Sequence, residues 1–542
     1  MNLRTIGLLS TGVAASLTTC KTGKVADEKS DKPNIIFIMT DDHAYQALSA
    51  YGSVLNETPN LDRLANEGMI FENAFVTNSI SAPSRAVILT GKFSHHNGLI
   101  DNRIAFDSTQ VTYPKLLRNA GYTTAMIGKW HLKTQPTGFD YWKVLPGQGY
   151  YYNPDFRTPQ GMEQIQGYVT DIITDVAIDW LKGKRDPEKP FMLMYQHKAP
   201  HRPWWPAPRH FKEWSQKTFP EPETLFDDYE DRGEAAKTAE MNLLYHMQYG
   251  HDSKIRPETI EAMGGVEPDV PDFDWGFTGP YGRTNDAQKE IIDPVLDSIN
   301  NYFMENWPKM TDEEKMKWKY QRYMQDYLAC IHAVDENIGR LLDYLDESGL
   351  AENTVIVYTS DQGFYLGEHG WFDKRFMYEE SLRTPLIIKW PGVTQPGSMA
   401  KELVQNLDFA QTLLEIAGVE SPGDMQGKSI VPVLKGDHEN EWRNALYYHY
   451  YEYPAVHMVK RHYGIRTHRY KLIHFYYDVD EWELYDLERD PSEMNNVYDN
   501  PDYQDIVSDL KMQLHGLREK YGDADSLSRE YFYERYGFSY DW

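Results

Sequence analysis

The segment Asn34-Ile35-Ile36-Phe37-Ile38-Met39, followed directly by Thr40-Asp41-Asp42, sets the architecture that we expect for this chain. Its apolar residues are continuous rather than alternating, which is typical of a strand buried on both faces of a parallel sheet. In open parallel sheets, ligand sites gather at the carboxyl ends of the strands. We therefore predict a central strand that ends at a functional site containing the two aspartates.

Three more apolar runs end in polar residues, and helical patterns separate them. Such an alternation of strand and helix predicts an α/β fold with a large, mostly parallel sheet between helices. The runs are 191–195, 354–358 and 385–388, and the helical patterns are 60–67, 113–120, 171–182 and 330–349.

Composition divides the chain into two folded parts. Residues 33–430 form the predicted catalytic domain, interrupted over about 205–318 by charged and aromatic sequence that we interpret as an insertion bordering the site. Residues 431–542 contain short strand patterns and a helical pattern near 502–521. They predict a smaller α+β subdomain with an antiparallel sheet, which contributes to the substrate pocket.

The N-terminal residues 1–20 contain Arg4, an apolar stretch too short to span a bilayer, and a small-residue block that resembles a bacterial lipobox and ends at Cys20. We predict a lipoprotein signal peptide, lipidation of Cys20 and a flexible polar tether over 21–32. This predicts an exported, periplasmic or cell-surface lipoprotein of a Gram-negative bacterium, with a lipid anchor to the membrane surface. A plain secretory peptide with an incidental cysteine is the alternative. The other cysteine, Cys330, is predicted to be buried in a helix without a disulfide partner.

Charge limits the classes of partner. The chain has 542 residues, with 82 acidic and 55 basic side chains and a formal net charge of −27. A protein this acidic is poorly suited to binding nucleic acid or an anionic membrane as its main role. Hydrophobic residues make up 41% of the chain, which is enough for a large core.

The most specific segment is Ser81-Ala82-Pro83-Ser84-Arg85-Ala86-Val87-Ile88-Leu89-Thr90-Gly91. Pro83 suits the first turn of a helix, so Ser81 is predicted at the N-terminal end, where free N–H groups favour anions. Arg85 follows one turn later and is predicted to reach back to the Ser81 side chain. Taken alone, the pattern is also compatible with a capping serine and a surface arginine.

Residues 81–91 resemble the signature of the type I sulfatases, C/S-x-P-S-R-x-x-x-L-T-G, at every defined position, and residues 121–131 resemble the second signature of that family. Asp41-Asp42, 199–201, 361–363 and 483–491 extend the resemblance over nearly the whole mature chain. The resemblance implies an alkaline-phosphatase-like sandwich and hydrolysis of a sulfate monoester.

In that family a maturation enzyme oxidises the serine or cysteine to formylglycine (3-oxoalanine), so the resemblance implies this modification at Ser81. One oxygen of the aldehyde hydrate attacks sulfur, and the other later expels sulfate. An unmodified serine hydroxyl is a weak nucleophile.

Acidic residues at two strand ends indicate a metal site. Asp41, Asp42 and Asp361 would repel one another in a partly dry cleft unless a cation neutralised them. Oxygen ligands from these acids, from Gln362 and from the hydrate at Ser81 suit Ca²⁺ or Mg²⁺ better than zinc. The resemblance implies calcium, although Gln362 replaces the more frequent Asn.

The resemblance also implies the other catalytic residues. Lys129 and Lys374 would hold sulfate oxygens, His131 would hydrogen-bond the formylglycine hydroxyl, and His201 would protonate the leaving alcohol.

Residues 138–155 and 197–204 look most similar to the N-acetylglucosamine-6-sulfatase branch, which acts on 6-O-sulfated glucosamine of heparan sulfate and related glycosaminoglycans. Because the net charge disfavours a long polyanion, we predict exo-action on a sulfated mono- or oligosaccharide. The predicted sugar-binding residues are His457, Arg461, His462 and Arg466, for which a basic hairpin face is the alternative.

Other functions stay open at this point. They are a sulfatase for another glycan sulfate position, a phosphatase or phosphonate monoesterase of the same superfold, and an inactive glycan-binding lipoprotein.

Overall fold

The architecture is a ten-stranded mixed sheet between two layers of helices, joined to a four-stranded antiparallel sheet. The computed structural model describes residues 32–271, 274–437 and 442–530. The predicted signal peptide, Cys20 and all of the tether except Lys32 lie outside the described residues.

The strands are short and, in the centre of the large sheet, fully buried. In chain order they are β1 (Asn34–Thr40), β2 (Met69–Phe71), β3 (Ala74–Phe75), β4 (Thr123–Lys129), β5 (Tyr141–Leu145), β6 (Asp155–Thr158), β7 (Gly161–Gln164), β8 (Phe191–Gln196), β9 (Thr354–Ser360), β10 (Leu386–Lys389), β11 (Ser398–Ala400), β12 (Val404–Gln405), β13 (Ala445–Tyr450), β14 (His462–Thr467), β15 (Tyr470–Phe475) and β16 (Glu481–Asp486).

The structure contains 18 α-helices among the described residues. They are α1 (Pro59–Glu67), α2 (Ser81–Thr90), α3 (Ser94–Asn97), α4 (Tyr113–Asn119), α5 (Val169–Gly183), α6 (Pro208–Trp214), α7 (Glu234–Lys237), α8 (Leu243–His246), α9 (Tyr249–Ser253), α10 (Pro257–Ala262), α11 (Asp274–Gly282), α12 (Asp286–Asn306), α13 (Asp312–Glu347), α14 (Glu379–Leu382), α15 (Phe409–Ile416), α16 (Val431–Lys435), α17 (Gln504–Tyr521) and α18 (Asp525–Arg529). Of these, α1, α5 and α13 cover one face of the large sheet, and α2, α4 and α15 cover the other.

The large sheet has the strand order β11-β2-β10-β9-β1-β8-β4-β5-β6-β7. Strands β9, β1, β8, β4 and β5 are parallel, as the continuous apolar runs predict. Strand β10, by contrast, pairs antiparallel with β9, and β6 pairs antiparallel with both of its neighbours, β5 and β7. A short apolar run does not encode its own direction, because parallel and antiparallel strands buried on both faces have the same composition. The predicted mixed, mostly parallel sheet is confirmed.

Strand β1 is apolar at successive positions because both of its faces are buried. Ile36 and Ile38 pack into the core formed with α1, α5 and α13, whereas Ile35 and Phe37 pack into the core formed with α2, α4 and α15. Since successive side chains point to opposite faces, both sets must be apolar. The strand is thereby held at the centre of the sheet, with Asp41 and Asp42 immediately beyond its carboxyl end.

The predicted insertion contains helices α6 to α12 and joins β8 to the long helix α13. Helix α13 begins at Asp312, well before the predicted start at residue 330. A capping box explains this start, because the Thr311 side chain accepts from the Glu314 N–H and the Glu314 carboxylate accepts from the Thr311 N–H. Cys330 lies within this helix and is fully buried, as predicted.

The C-terminal strands β13 to β16 form the predicted antiparallel sheet, with helix α17 after it. One face packs on Phe376 and Tyr378, and the other packs on α17 through residues such as Leu510 and Leu514. Both faces of this sheet are therefore covered. Within the described residues, no helix is both long and apolar enough to cross a membrane.

Candidate active site

Ser81 is the first residue of α2 and is 2% exposed. Ile80 precedes it in an extended conformation, and Pro83 occupies the first turn, as the sequence predicts. The Ser81 hydroxyl donates to Asp41 Oδ1 at 3.1 Å. The helix end thus brings the candidate nucleophile directly against a buried carboxylate.

The register of the sheet brings the acidic residues together. Strand β1 pairs with β9 so that Thr40 lies opposite Ser360, which places Asp42 beside Asp361 beyond the two strand ends. The Asp42 N–H donates to Asp361 Oδ1 at 3.2 Å. Asp41, Asp42 and Asp361 are each fully buried. Three acids from segments that are far apart in sequence therefore form one acidic cluster.

Arg85 has a different contact from the predicted one. Its Nε and Nη2 donate to Asp361 Oδ2 at 3.1 and 3.0 Å, and Nη1 donates to the Lys129 carbonyl and to Gln196. The guanidinium also lies 3.5 Å from Asp41 Oδ1. The predicted contact with the Ser81 side chain is replaced by pairing with carboxylates, since charge-assisted bonds are stronger than a bond to a neutral hydroxyl. Arg85 therefore positions the acids.

The lysines also reach the acidic cluster. Lys374 Nζ lies 2.6 and 2.8 Å from the two carboxylate oxygens of Asp42, and Lys129 Nζ donates to Asp41. Burial raises the pKa of Asp42 to about 7, against the opposing charge of Lys374 and together with the like charge of Asp361. Burial also opposes ionisation of Asp361, but the charges of Arg85 and Lys129 hold its pKa below the usual range.

The cluster fits a hard divalent cation. Gln362 is fully buried, and its Nε2 donates to Asp42, whereas its Oε1 has no hydrogen-bond partner among the described residues. A buried acceptor without a partner is costly, and a cation would satisfy it. Three carboxylates and an amide oxygen are the donor set that calcium and magnesium prefer.

Two histidines border the acids. His201 Nδ1 donates to the Arg202 carbonyl at 2.6 Å, and Nε2 lies 3.8 Å from Asp42 Oδ2. One ligand atom from each of Asp41, Asp42 and His201 lies within 4.8 Å of the other two. His131 is half-buried, and desolvation together with the charge of Lys129 holds its pKa well below the usual range. The structure therefore brings together all the residues predicted for catalysis and metal binding.

Sequence reasoning missed Lys198. This side chain is 1% exposed, its Nζ has no hydrogen-bond partner within the described ranges, and it lies 4.7 Å from the Tyr151 ring centre. Burial lowers its pKa to about 7. Lys198 follows the carboxyl end of β8, so the strand-end rule that identified Asp41 could also have identified it.

The structure does not bring the four predicted sugar-binding residues together. Arg461 Nη2 pairs with Asp478 at 2.6 Å, and Arg466 pairs with Glu379 at 3.1 Å. His462 is fully buried among the rings of Phe376, Tyr448, Tyr450 and Phe475.

These basic side chains do not come together at the active site because both faces of the sheet containing β14 are covered. A charged side chain on a covered face needs a buried partner. His457 alone of the four reaches the edge of the site, since its Nε2 lies 3.3 Å from Asp373, the neighbour of Lys374.

His369 follows the strand-end motif at 361–363 but belongs to a separate buried cluster. Its Nδ1 lies 2.9 Å from Asp227, which also pairs with Arg232. Burial lowers the pKa of His369 to about 4, against the effect of Asp227.

This pKa predicts a pH-dependent contribution to stability. In the unfolded chain His369 has a pKa of about 6.5, whereas in the folded chain it binds a proton only near pH 4. The neutral His369 side chain therefore contributes to folding stability above about pH 6.5, and this contribution is lost as the pH falls toward 4, because the unfolded state gains a proton first. We expect wild type to lose about 3 kcal/mol more stability than His369→Asn between about pH 7 and pH 4. Urea unfolding at several pH values measures the difference. His515→Asn, at a histidine whose side chain is 74% exposed, is the control. Parallel curves for wild type and His369→Asn would contradict the assignment.

A family profile for sulfatases matches residues 33–419, which is most of the chain and contains Asp41, Asp42 and Asp361 of the acidic cluster. The chain belongs to the sulfatase family. It is a sulfuric ester hydrolase, which confirms the prediction from the two signatures. A profile described as the C-terminal region of N-sulphoglucosamine sulphohydrolase also matches residues 367–520.

Two similar proteins match this chain over nearly its whole length. An N-acetylglucosamine-6-O-sulfatase of Bacteroides thetaiotaomicron is 49% identical over 527 residues, covering 95% of this chain and 91% of that protein. A solved structure of a protein in complex with its substrate D-glucosamine-2-N,6-O-disulfate has a TM-score of 0.86 and 50% identity, and it covers 92% of this chain and 99% of that one.

A more distant likeness concerns the fold alone. The phosphonate monoester hydrolase of Agrobacterium radiobacter matches with a TM-score of 0.62 at 21% identity, covering 90% of this chain and 96% of that one. The predicted alkaline-phosphatase-like sandwich is confirmed.

Proposed function

We propose that this sulfatase removes the 6-O-sulfate from N-acetylglucosamine or N-sulfoglucosamine at the end of heparin or heparan sulfate oligosaccharides. The observation that carries the reaction is the contact of Ser81, at the tip of α2, with Asp41 in a cluster of three buried carboxylates. The choice of sugar rests on the 49%-identical relative, which is named an N-acetylglucosamine-6-O-sulfatase.

We propose that Ser81 acts as formylglycine, formed by a maturation enzyme. When formed, this aldehyde supplies, as its hydrate, a stronger nucleophile than serine and a route for releasing sulfate. The helix end supports this role, because the α2 N-terminus favours an anionic group at residue 81.

Asp41, Asp42, Asp361 and Gln362 would hold one calcium ion, which would neutralise the carboxylates and stabilise the negative charge that develops on the reacting sulfate group. Arg85 keeps Asp361 oriented through its paired bonds. Lys129 and Lys374 neutralise the same acids in this structure. A bound cation would take over that task, and the two ammonium groups would then hold sulfate oxygens.

His201, in its imidazolium form with a proton on Nε2, is the proposed proton donor to the leaving alcohol. Burial and the charges of Lys129 and Lys374 hold its pKa well below the usual range here, so we propose that it takes up this proton when the anionic substrate offsets those charges. Its bond to the Arg202 carbonyl directs Nε2 toward the acidic cluster, and its side chain is 14% exposed, so a sugar oxygen can reach it. His131, which lies close enough to Lys129 and Arg85 for their charges to lower its pKa, is the proposed hydrogen-bond partner of the group at residue 81.

The role of His201 predicts a dependence on the leaving group. We expect His201→Ala to lower kcat on 6-sulfated glucosamine by about 10²- to 10⁴-fold, because a sugar alcohol needs a proton to leave. On an aryl sulfate with a low leaving-group pKa, the loss should be less than about tenfold. Steady-state kinetics on both substrates measure the two ratios, with His515→Ala as the control. Equal losses on both substrates would rule out proton donation by His201.

The function itself is tested with a panel of defined mono- and disaccharide sulfates, by measuring released sulfate. We expect turnover of 6-O-sulfated N-acetylglucosamine and N-sulfoglucosamine at non-reducing ends, and little turnover of 2-O-sulfated uronate or 4-O-sulfated galactosamine. Preferred release from another position would contradict the proposed specificity. An aryl phosphate in the same panel tests the phosphatase alternative, and a peptide mass lower by two hydrogen atoms at residue 81 tests formylglycine.

A further inference from the structure

Two histidines and a glutamate meet where helix α6 crosses α13, formed by residues other than those assigned to the active site. His210 lies on α6, while His332 and Glu336 are one turn apart on α13. One ligand atom from each of the three lies within 4.8 Å of the other two. His210 is 8% exposed, whereas His332 and Glu336 are about one-third exposed in their side chains. The cluster is therefore anchored on a buried side and accessible from solvent.

The separations suit a small metal ion. His210 Nε2 lies 2.8 Å from Glu336 Oε2, and His332 Nε2 lies 3.7 Å from Glu336 Oε1. Ligands bound at about 2.0 to 2.1 Å in tetrahedral geometry are about 3.3 Å apart, which falls between these two distances. Because the two imidazoles face different oxygens of the carboxylate, shifts of the side chains would be needed to bring both imidazoles and one oxygen around a single ion. Two imidazoles and one carboxylate form a donor set that suits zinc and neighbouring transition metals rather than calcium.

We propose that His210, His332 and Glu336 bind a divalent transition-metal ion, with zinc as the best fit, at a second metal site outside the active site. Water would complete the coordination on the exposed side. Arg209 supports the site, because its Nη2 donates to Glu336 Oε2 at 2.8 Å and orients the carboxylate.

A metal at this position would link the insertion to the catalytic core. Helix α6 shortly follows His201 in sequence, and α13 contains Tyr327, whose hydroxyl donates to the Asp42 carbonyl at 2.7 Å. The ion would therefore fasten together two helices that each lead to the active site. Because it binds only when the helices are packed, its binding energy adds to the stability of the fold.

The chain contains a natural control for this site. His515 and Glu519 on α17 have the same i, i+4 spacing, with 3.3 Å between Nε2 and Oε1, and both side chains are more than 70% exposed. They belong to none of the groups of three metal-ligand residues found among the described residues. Replacing His515 therefore tests whether a histidine and a glutamate one turn apart on a single helix are enough to bind zinc.

The test is a titration of the full chain with ZnCl₂ in saturating CaCl₂, which protects the oxygen-lined site. Calorimetry measures affinity and stoichiometry, and thermal unfolding measures stabilisation. We expect one zinc equivalent that raises the melting temperature, with affinity lowered at least about tenfold in His332→Ala and in Glu336→Gln. His515→Ala should bind zinc as wild type does. Since His332 is partly exposed, the free energy of unfolding of metal-free His332→Ala should lie within about 0.5 kcal/mol of that of wild type.

Four outcomes would overturn the proposal. They are the absence of saturable zinc binding in calcium, unchanged affinity in both His332→Ala and Glu336→Gln, equal loss in His515→Ala, and loss of the same binding event in Asp42→Asn, which would place the zinc in the active site instead. As an independent readout, cobalt(II) bound at the proposed site should give visible absorption bands that His332→Ala removes.

Discussion

Replacing Ser81 with alanine is expected to reduce kcat/KM for 6-sulfated glucosamine by about 10⁴-fold or more. In the proposed mechanism residue 81 supplies the atom that attacks sulfur, and no other hydroxyl donates to Asp41 among the described contacts. Alanine can be neither oxidised to an aldehyde nor act as a nucleophile. Sulfate release from the monosaccharide substrate measures the effect.

The structure of Ser81→Ala should be retained. The substitution removes one hydrogen bond of 3.1 Å, which is worth about 1 kcal/mol in stability. Ser94→Ala is the matched control, because Ser94 also begins a short helix and is 2% exposed but belongs to no acidic cluster. We expect that variant to keep most of the activity. Substantial turnover by Ser81→Ala would show that another group is the nucleophile.

Replacing Asp42 with asparagine is expected to remove calcium binding and to lower activity at least about 100-fold. Asp42 is fully buried at the centre of the acidic cluster, where it contacts Gln362, Lys374 and the Asp361 side chain. An amide supplies one oxygen and no charge. The ion would thus lose a strong ligand.

Stability measures this loss separately from catalysis. At a calcium concentration 100 times Kd, wild type should gain about 2.7 kcal/mol of stability, and Asp42→Asn should gain almost none. Asp408→Asn is the control, since Asp408 is an equally buried carboxylate paired with Arg443 at 2.6 Å outside the acidic cluster. It should keep the calcium effect despite lower basal stability. A gain with magnesium that equals or exceeds the gain with calcium would contradict the choice of ion.

Several parts of the fold could be predicted because their signals are local. A strand buried on both faces must be apolar at every position, and β1, β8 and β9 were recognisable for that reason. Ser81 and Arg85 stand in a helix start with its proline in the first turn. The early start of α13 could also have been predicted, since Thr311 and Glu314 have the spacing of a capping box.

Other features depend on contacts between distant segments. The direction of β10 and the partner of Arg85 are examples, because each depends on which group is brought close after the chain folds. The basic residues of β14 looked suited to binding a sugar, yet Arg466 pairs with Glu379 and His462 is enclosed by aromatic rings. Nothing near them in sequence indicates that α17 and the catalytic core cover both faces of their sheet.

The amino-acid order alone was enough for the central strands and the helix that begins at Ser81, since these follow from short-range patterns of hydrophobicity and backbone preference. The family was recognisable from the resemblance of residues 81–91 and 121–131 to its two signatures. The tertiary structure was needed to show that Asp42 lies beside Asp361 and that His210 lies near His332. Side-chain chemistry is encoded locally, but the distances that turn side chains into a site arise only when remote strands and helices pack together.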